Sequence, residues 1–168
     1  KGYNHEIVGV GMSCPGPLDL VNARIITPPN LRGDWHHLAV AEQALKFENL
    51  AVIMLGGDMI RITNCSSGPV AEEQLKKYQL DTAFIGAAAI GSDGKLYDGY
   101  SPEARLKGTL FSVAKKIYVL ADSSKMNTYN LNEFGSLSQI DGLITDAGID
   151  EEAMTLMKRH RVNVIIAE

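Results

Sequence analysis

The stretch Tyr118–Met126, "YVLADSSKM", decides the fold reading. Tyr118, Val119, Leu120 and Ala121 form an apolar run with no polar alternation. They hand the chain directly to Asp122, Ser123, Ser124 and Lys125. A short continuous apolar run predicts a strand covered on both faces, as in a parallel sheet. In open sheets of that kind, ligands sit beyond the carboxyl ends of the strands. The polar residues after the run therefore carry the functional question. Lys125 offers a mobile cation with three donors, Ser123 and Ser124 offer hydroxyls, and together they suit a phosphate or carboxylate. Asp-Ser-Ser is also ordinary turn composition, so a solvated loop stays open as the alternative.

Working outward, similar apolar runs predict strands at 6–11, 23–26, 51–55, 83–86, 117–121, 142–145 and 162–166. Helical spacing lies between them: Leu38, Ala41 and Leu45, then "GPVAEEQLKKYQL" at 68–80. In "SPEARLKGTLFSVAKK" at 101–116, Ser101 reads as N-cap, Pro102 as first helical residue, and Leu106, Leu110 and Val113 as the buried stripe. In "GIDEEAMTLMKRH" at 148–160, Asp150 reads as N-cap, with acids following and Lys158, Arg159 and His160 at the end, as the helix dipole favours. Strand–helix alternation predicts an α/β fold: a mainly parallel sheet with helices on both faces, in one domain over 1–168. The run 126–138 reads as the longest irregular stretch, and a mobile loop is expected there.

The 168 residues carry 45% hydrophobic and 21% charged residues and a formal net charge of −4. With no basic run, direct nucleic-acid binding is disfavoured. Cys14 and Cys65 have no metal spacing and read as thiols of a reducing compartment, so a cytoplasmic location is expected. No secretory pattern and no apolar run of membrane-spanning length occurs, so no membrane partner is expected.

Other strand ends are less specific. In "FIGAAAIGSDG" at 84–94, Gly86 and Ala87 can offer only backbone groups and close approach, and strand–helix packing explains them equally well. In "MLGGDMI" at 54–60, Gly57 reads first as part of a turn that could also face a ligand. Asp146 in "LITDAGID" reads as a strand-to-helix connector. Glu103 and Lys107 stand four apart on a predicted helix. They can pair on its surface, or orient a sugar if the first turn faces the cleft. His36 and His37 are adjacent and cannot chelate one metal as an i,i+4 pair would, so no metal site is expected. Phosphate-loop, nucleophile-elbow and zinc-protease motifs are missing, and Cys14 breaks the dinucleotide fingerprint at Gly9-Val10-Gly11.

From about residue 38 onward an ordered series resembles the effector-binding domain of DeoR-type transcriptional regulators. It runs "VIMLGGDMI", "GPVAEEQLKKYQLDTAFIGAAAIGSDG", "EARLKGTLFSVAKKIYVLADSSKM", "LSQIDGLITDAGID" and "VNVIIAE". The resemblance implies a ribose-5-phosphate-isomerase-like fold and a small phosphorylated sugar as ligand. It makes Lys125 the leading contact, with Asp122, Ser123, Ser124, Gly86, Ala87, Gly57 and Lys107 around it. It also implies a homo-oligomer, for which Tyr97, Tyr100 and Phe134 are the exposed apolar candidates. Two features depart from the family pattern. Ala87-Ala88-Ala89 stands where an acidic residue is usual, which removes the carboxylate base that an isomerase needs. The family's D-S-G-T-T loop and helix-turn-helix do not occur, so DNA would be reached only through a domain outside this sequence.

The earlier stretch "VGVGMSCPGPLDLVNARIITPPNLRGDW" at 8–35 is similar to ROK-family sugar kinases and repressors, which implies Asn30 as a sugar contact. The kinase ATP loop, catalytic aspartate motif and zinc cysteines are missing. The expected organisation is composite, ROK-like over 1–37 and DeoR-like over 38–168. The expected function is a non-enzymatic sugar-phosphate sensor without cofactor or catalytic residue. The alternatives are a recombined or degenerate scaffold with no active pocket and, further off, a sugar isomerase or kinase relative.

Overall fold

The computed structural model describes residues 53–60 and 65–167, together with the backbone of three two-residue strands: β1 (Val10–Gly11), β2 (Leu18–Asp19) and β3 (Arg24–Ile25). The expected helix around Leu38–Leu45 and the candidate Asn30 lie outside the described residues. The remaining strands are β4 (Asp58–Ile60), β5 (Cys65–Ser67), β6 (Ala83–Gly86), β7 (Ala89–Ile90), β8 (Lys95–Asp98), β9 (Ile117–Leu120), β10 (Asn132–Ser136), β11 (Gly142–Thr145) and β12 (Asn163–Ile166). The helices are α1 (Pro69–Leu75), α2 (Ser101–Val113) and α3 (Glu151–His160).

A five-stranded sheet in the order β1-β6-β9-β11-β12 organises the chain, and every neighbouring pair in it is parallel. The opening apolar run thus contributes a strand beside β6, pairing Val10 with Ala83 and Gly11 with Phe84. From β6 to β12 the order advances in one direction. Right-handed crossovers then put all the intervening connections on one face. Burial agrees: Ala83, Ile85, Ile117, Val119 and Leu143 are buried, while the alternate residues Phe84, Tyr118, Leu120 and Ile144 are only half-buried. The expectation of helices on both faces is therefore met, among the described residues, on one face only. On the other face the Phe84 and Tyr118 rings stack with centroids 5.6 Å apart. Gly142, opposite Tyr118 in the register, leaves that ring its room: a Cβ there would lie 2.8 Å from Tyr118 Cδ1.

The covered face holds the core, built from Leu75 of α1, Leu106, Leu110 and Val113 of α2, and Ala153, Leu156 and Met157 of α3. The stripe expected on α2 is thus the buried one. Its N-terminus differs by one residue: Tyr100 is the extended flanking residue and Ser101 already belongs to the helix. Asp150 caps α3 as expected, accepting from Ala153 N at 2.8 Å.

Three differences stand out. The run expected to be a mobile loop contains β10, which joins β8 and β7 in a three-stranded antiparallel sheet. Residues 53–55 form no strand, and a β4–β5 hairpin follows them instead. Phe134 is buried, its ring centroid 6.5 Å from that of Phe111, so it cannot serve as an exposed interface residue. Tyr97 and Tyr100 are half-buried, and Leu131, just before β10, is exposed at 83%.

Candidate functional site

The end of β9 is built around Asp122. Its carboxylate accepts from Ser124 N at 3.0 Å and from the Ser124 hydroxyl, and this closes the single 3-10 turn Ser123–Lys125. The Lys125 ammonium stands 4.0 Å from Asp122 Oδ2, half-exposed. At that distance and exposure the contact contributes little and leaves the ammonium free to meet a ligand.

Asp146, at the end of β11, ties this turn to the next strand. Its carboxylate accepts from Ser123 N and from Gly148 N, each at 2.7 Å. The hydrogen bond from Ser123 N leads the causes that hold its pKa below the ordinary aspartate value. A depressed folded-state pKa means stability that is complete above the unfolded value and lost as pH falls through the folded one. Asp146→Asn should therefore lower the melting temperature at neutral pH, and the gap to the wild type should close as pH falls from about 5 toward 2. Parallel thermal scans across that range test this; a gap independent of pH would refute it.

Beside this turn lies the chain leaving β6. Gly86 pairs with Leu120 in the register, Ile90 bridges Met126, and Thr128 N donates to Ile90 O at 3.2 Å. The fold thus brings Gly86, Ala87 and the 122–125 turn to one edge of the sheet. The side chains of Ala87, Ala88 and Ala89 add no polar group, so that part of the rim offers only backbone and shape.

Two expected residues behave differently. Lys107 is buried, and its ammonium is ion-paired with Asp98 of β8, not with Glu103 on the helix surface. It also lies 5.5 Å from the centroid of the Phe134 ring. A lysine so engaged holds β8 and β10 to α2 and is not an available phosphate contact. Gly57 immediately precedes β4 at φ 138°, where a Cβ would come 2.4 Å from Ser67 O. Backbone geometry accounts for this glycine, and no described contact brings it to Lys125.

A cavity of about 360 Å³ opens near the same edge, between Ser92, Asn127 and the first turns of α3. Glu151, Glu152 and Arg159 line it, so it carries more negative than positive charge. Among the described residues no cluster of histidine, cysteine and acidic side chains could hold a metal, and no helix is long and apolar enough to cross a membrane. Sequence reasoning missed the organising role of Asp146 and the burial of Asp98 and Glu103. Asp98 carried a readable signal, an acid closing a strand just ahead of a helix that bears a lysine.

The family model described as "DeoR C terminal sensor domain" matches residues 31–147. The "Putative aga operon transcriptional repressor" of Escherichia coli O157:H7 is 32% identical over 127 residues, 76% of this chain and 47% of that protein. The "HTH-type transcriptional regulator GlpR" of Haloferax volcanii is 31% identical over 121 residues, 72% of this chain and 48% of its own. The "Glycerol-3-phosphate regulon repressor" of Escherichia coli K12 is 24% identical over 140 residues, 83% and 56% of the two chains. The chain spans about half the length of the curated relatives it matches.

Proposed function

Because the chain belongs to the DeoR C-terminal sensor domain family, we propose that it is the effector-sensing part of a transcriptional regulator. It binds a small phosphorylated sugar at the carboxyl edge of its parallel sheet and passes the bound state to a DNA-binding module outside these residues. The observation that carries this reading is the convergence of the half-exposed Lys125 ammonium and the Ser123–Ser124 turn with the small-residue segment Gly86–Ala87, joined through the Ile90–Met126 bridge. Lys125 meets the phosphate, the turn supplies neutral donors, and Gly86 and Ala87 let the ligand approach the backbone. The relatives are named as regulators, and alanines stand at 87–89 where the family pattern places an acid, so the role is sensing and not isomerisation. An isomerase-like ancestry of the fold and a homo-oligomeric state belong to the same proposal.

The test is a thermal-shift panel of ribose 5-phosphate, glucose 6-phosphate and glycerol 3-phosphate. A ligand that binds only the folded state stabilises it by about 2.7 kcal/mol at a hundredfold excess over its Kd. At least one of the three should raise the melting temperature, and Lys125→Ala should abolish the rise while leaving the ligand-free value unchanged. Silence from all three at millimolar concentration would favour the second reading, a scaffold whose pocket no longer binds. The apolar rim at 87–89 and the engagement of Lys107 by Asp98 are what favour that alternative.

A further inference from the structure

Glu103 is a buried acid that the architecture leaves without a partner. It sits in the first turn of α2 at 7% exposure, and its Oε1 has no hydrogen-bond partner. The neighbouring cations are engaged elsewhere. Lys107 is held by Asp98, and Arg105 turns to Glu72 at 3.3 Å and to the Ser101 hydroxyl at 2.9 Å. Asp98 Oδ1 is in turn occupied by Tyr100 N at 3.1 Å. A second orphan lies on a strand that packs against the same helix: Ser67, fully buried at the end of β5, has an unpartnered hydroxyl. Leaving such groups unmet is costly, and native proteins keep them mainly where something other than the protein satisfies them.

Topology puts Glu103 on the ligand side of the sheet. Only three residues separate Val113, the C-terminus of α2, from β9, so it lies at the amino edge of the strands. The helix then runs back about 20 Å over its 13 residues, further than the roughly 13 Å length of a four-residue strand. Its first turn consequently reaches the edge where β6 and β9 end, the edge that carries Gly86 and the 122–125 turn.

We infer that Glu103 reads the hydroxyl groups of the effector, at the end of the ligand remote from its phosphate. The inference rests on the sugar-phosphate reading above and adds the element that distinguishes an organic phosphate from a bare one. An unmet carboxyl oxygen is an acceptor only, so it suits hydroxyl donors and not an anion. A phosphate group is held at Lys125 and the carbon-bound hydroxyls at the first turn of α2.

Thermal-shift titrations of the wild type and Glu103→Gln with glucose 6-phosphate, glycerol 3-phosphate and inorganic phosphate test this. The glutamine should weaken the response to the organic phosphate that binds by about tenfold or more. It should leave any inorganic-phosphate response unchanged and keep the ligand-free melting temperature at or above that of the wild type. Equal weakening for inorganic phosphate overturns the inference, because Glu103 would then not be reading hydroxyls. A lowered ligand-free melting temperature with an unchanged organic-phosphate response overturns it too, because the residue would then be structural. A wild type silent to all three probes removes the sugar-phosphate reading itself, and this inference with it.

Discussion

Lys107→Ala lowers the melting temperature of the ligand-free domain by about 6–20 °C. The pair it breaks is buried on both sides, with the lysine and aspartate side chains 6% and 9% exposed. Removing one member of such a pair leaves an uncompensated charge in low dielectric, at a cost of about 3–5 kcal/mol. In a chain of this size each kcal/mol corresponds to roughly 2–4 °C. The lysine also packs over Phe134, so the alanine loosens β10 together with the charge balance. The double variant Lys107→Met with Asp98→Asn should recover most of the loss. Methionine refills the volume, and the asparagine still accepts from Tyr100 N, an acceptor that Asp98 provides now. A single variant within about 2 °C of the wild type would mean that the pair is not holding β8 to α2. Lys125→Ala gives the contrast, since that lysine is half-exposed and its removal should alter binding without altering the fold.

These two lysines mark the limit of what the sequence made legible. Lys125 follows a strand and Lys107 lies on a helix after one, and both look like ligand contacts on composition. Only the position of Asp98 separates them, and Asp98 meets Lys107 through the β8-to-α2 connection, nine residues apart in the chain. The strands that form continuous apolar runs, Ala83–Gly86 and Gly142–Thr145, were readable to the residue, because burial on a parallel sheet requires that composition throughout. β8 and β10 were not readable for the opposite reason. "KLYD" and "NEFGS" mix polar and apolar residues and pair antiparallel across a bulge near Phe134, so their signal is cross-strand and not local. Edge position also dilutes the pattern: Ile165 and Ile166 of β12 are 40% and 44% exposed although their run reads as a covered strand. At the site, Asp122, Ser123 and Lys125 stand together because consecutive residues must. The partnerless state of Glu103 depends on where Arg105 and Lys107 turn, and no spacing rule gives that.

Leu110→Ala provides the test that separates the core from the site. Leu110 is fully buried on α2, within the cluster that joins α1, α2 and the sheet. Truncating a leucine there removes transfer free energy and leaves a cavity, at a cost of about 2–5 kcal/mol. The melting temperature should fall by roughly 4–20 °C. Leu110 lies seven residues beyond Glu103, about 10 Å along the helix axis. The first turn of α2 keeps its backbone hydrogen bond from Ala104 N to Tyr100 O and its anchor through Asp98 and Tyr100. The ligand-induced rise should therefore survive in Leu110→Ala, although it starts from a lower ligand-free value. Glu103→Gln should do the reverse, keeping the ligand-free value and weakening the rise with the organic phosphate. If Leu110→Ala loses both, the first turn of α2 is positioned by core packing and not by the Asp98 network, and the independence of site from core fails.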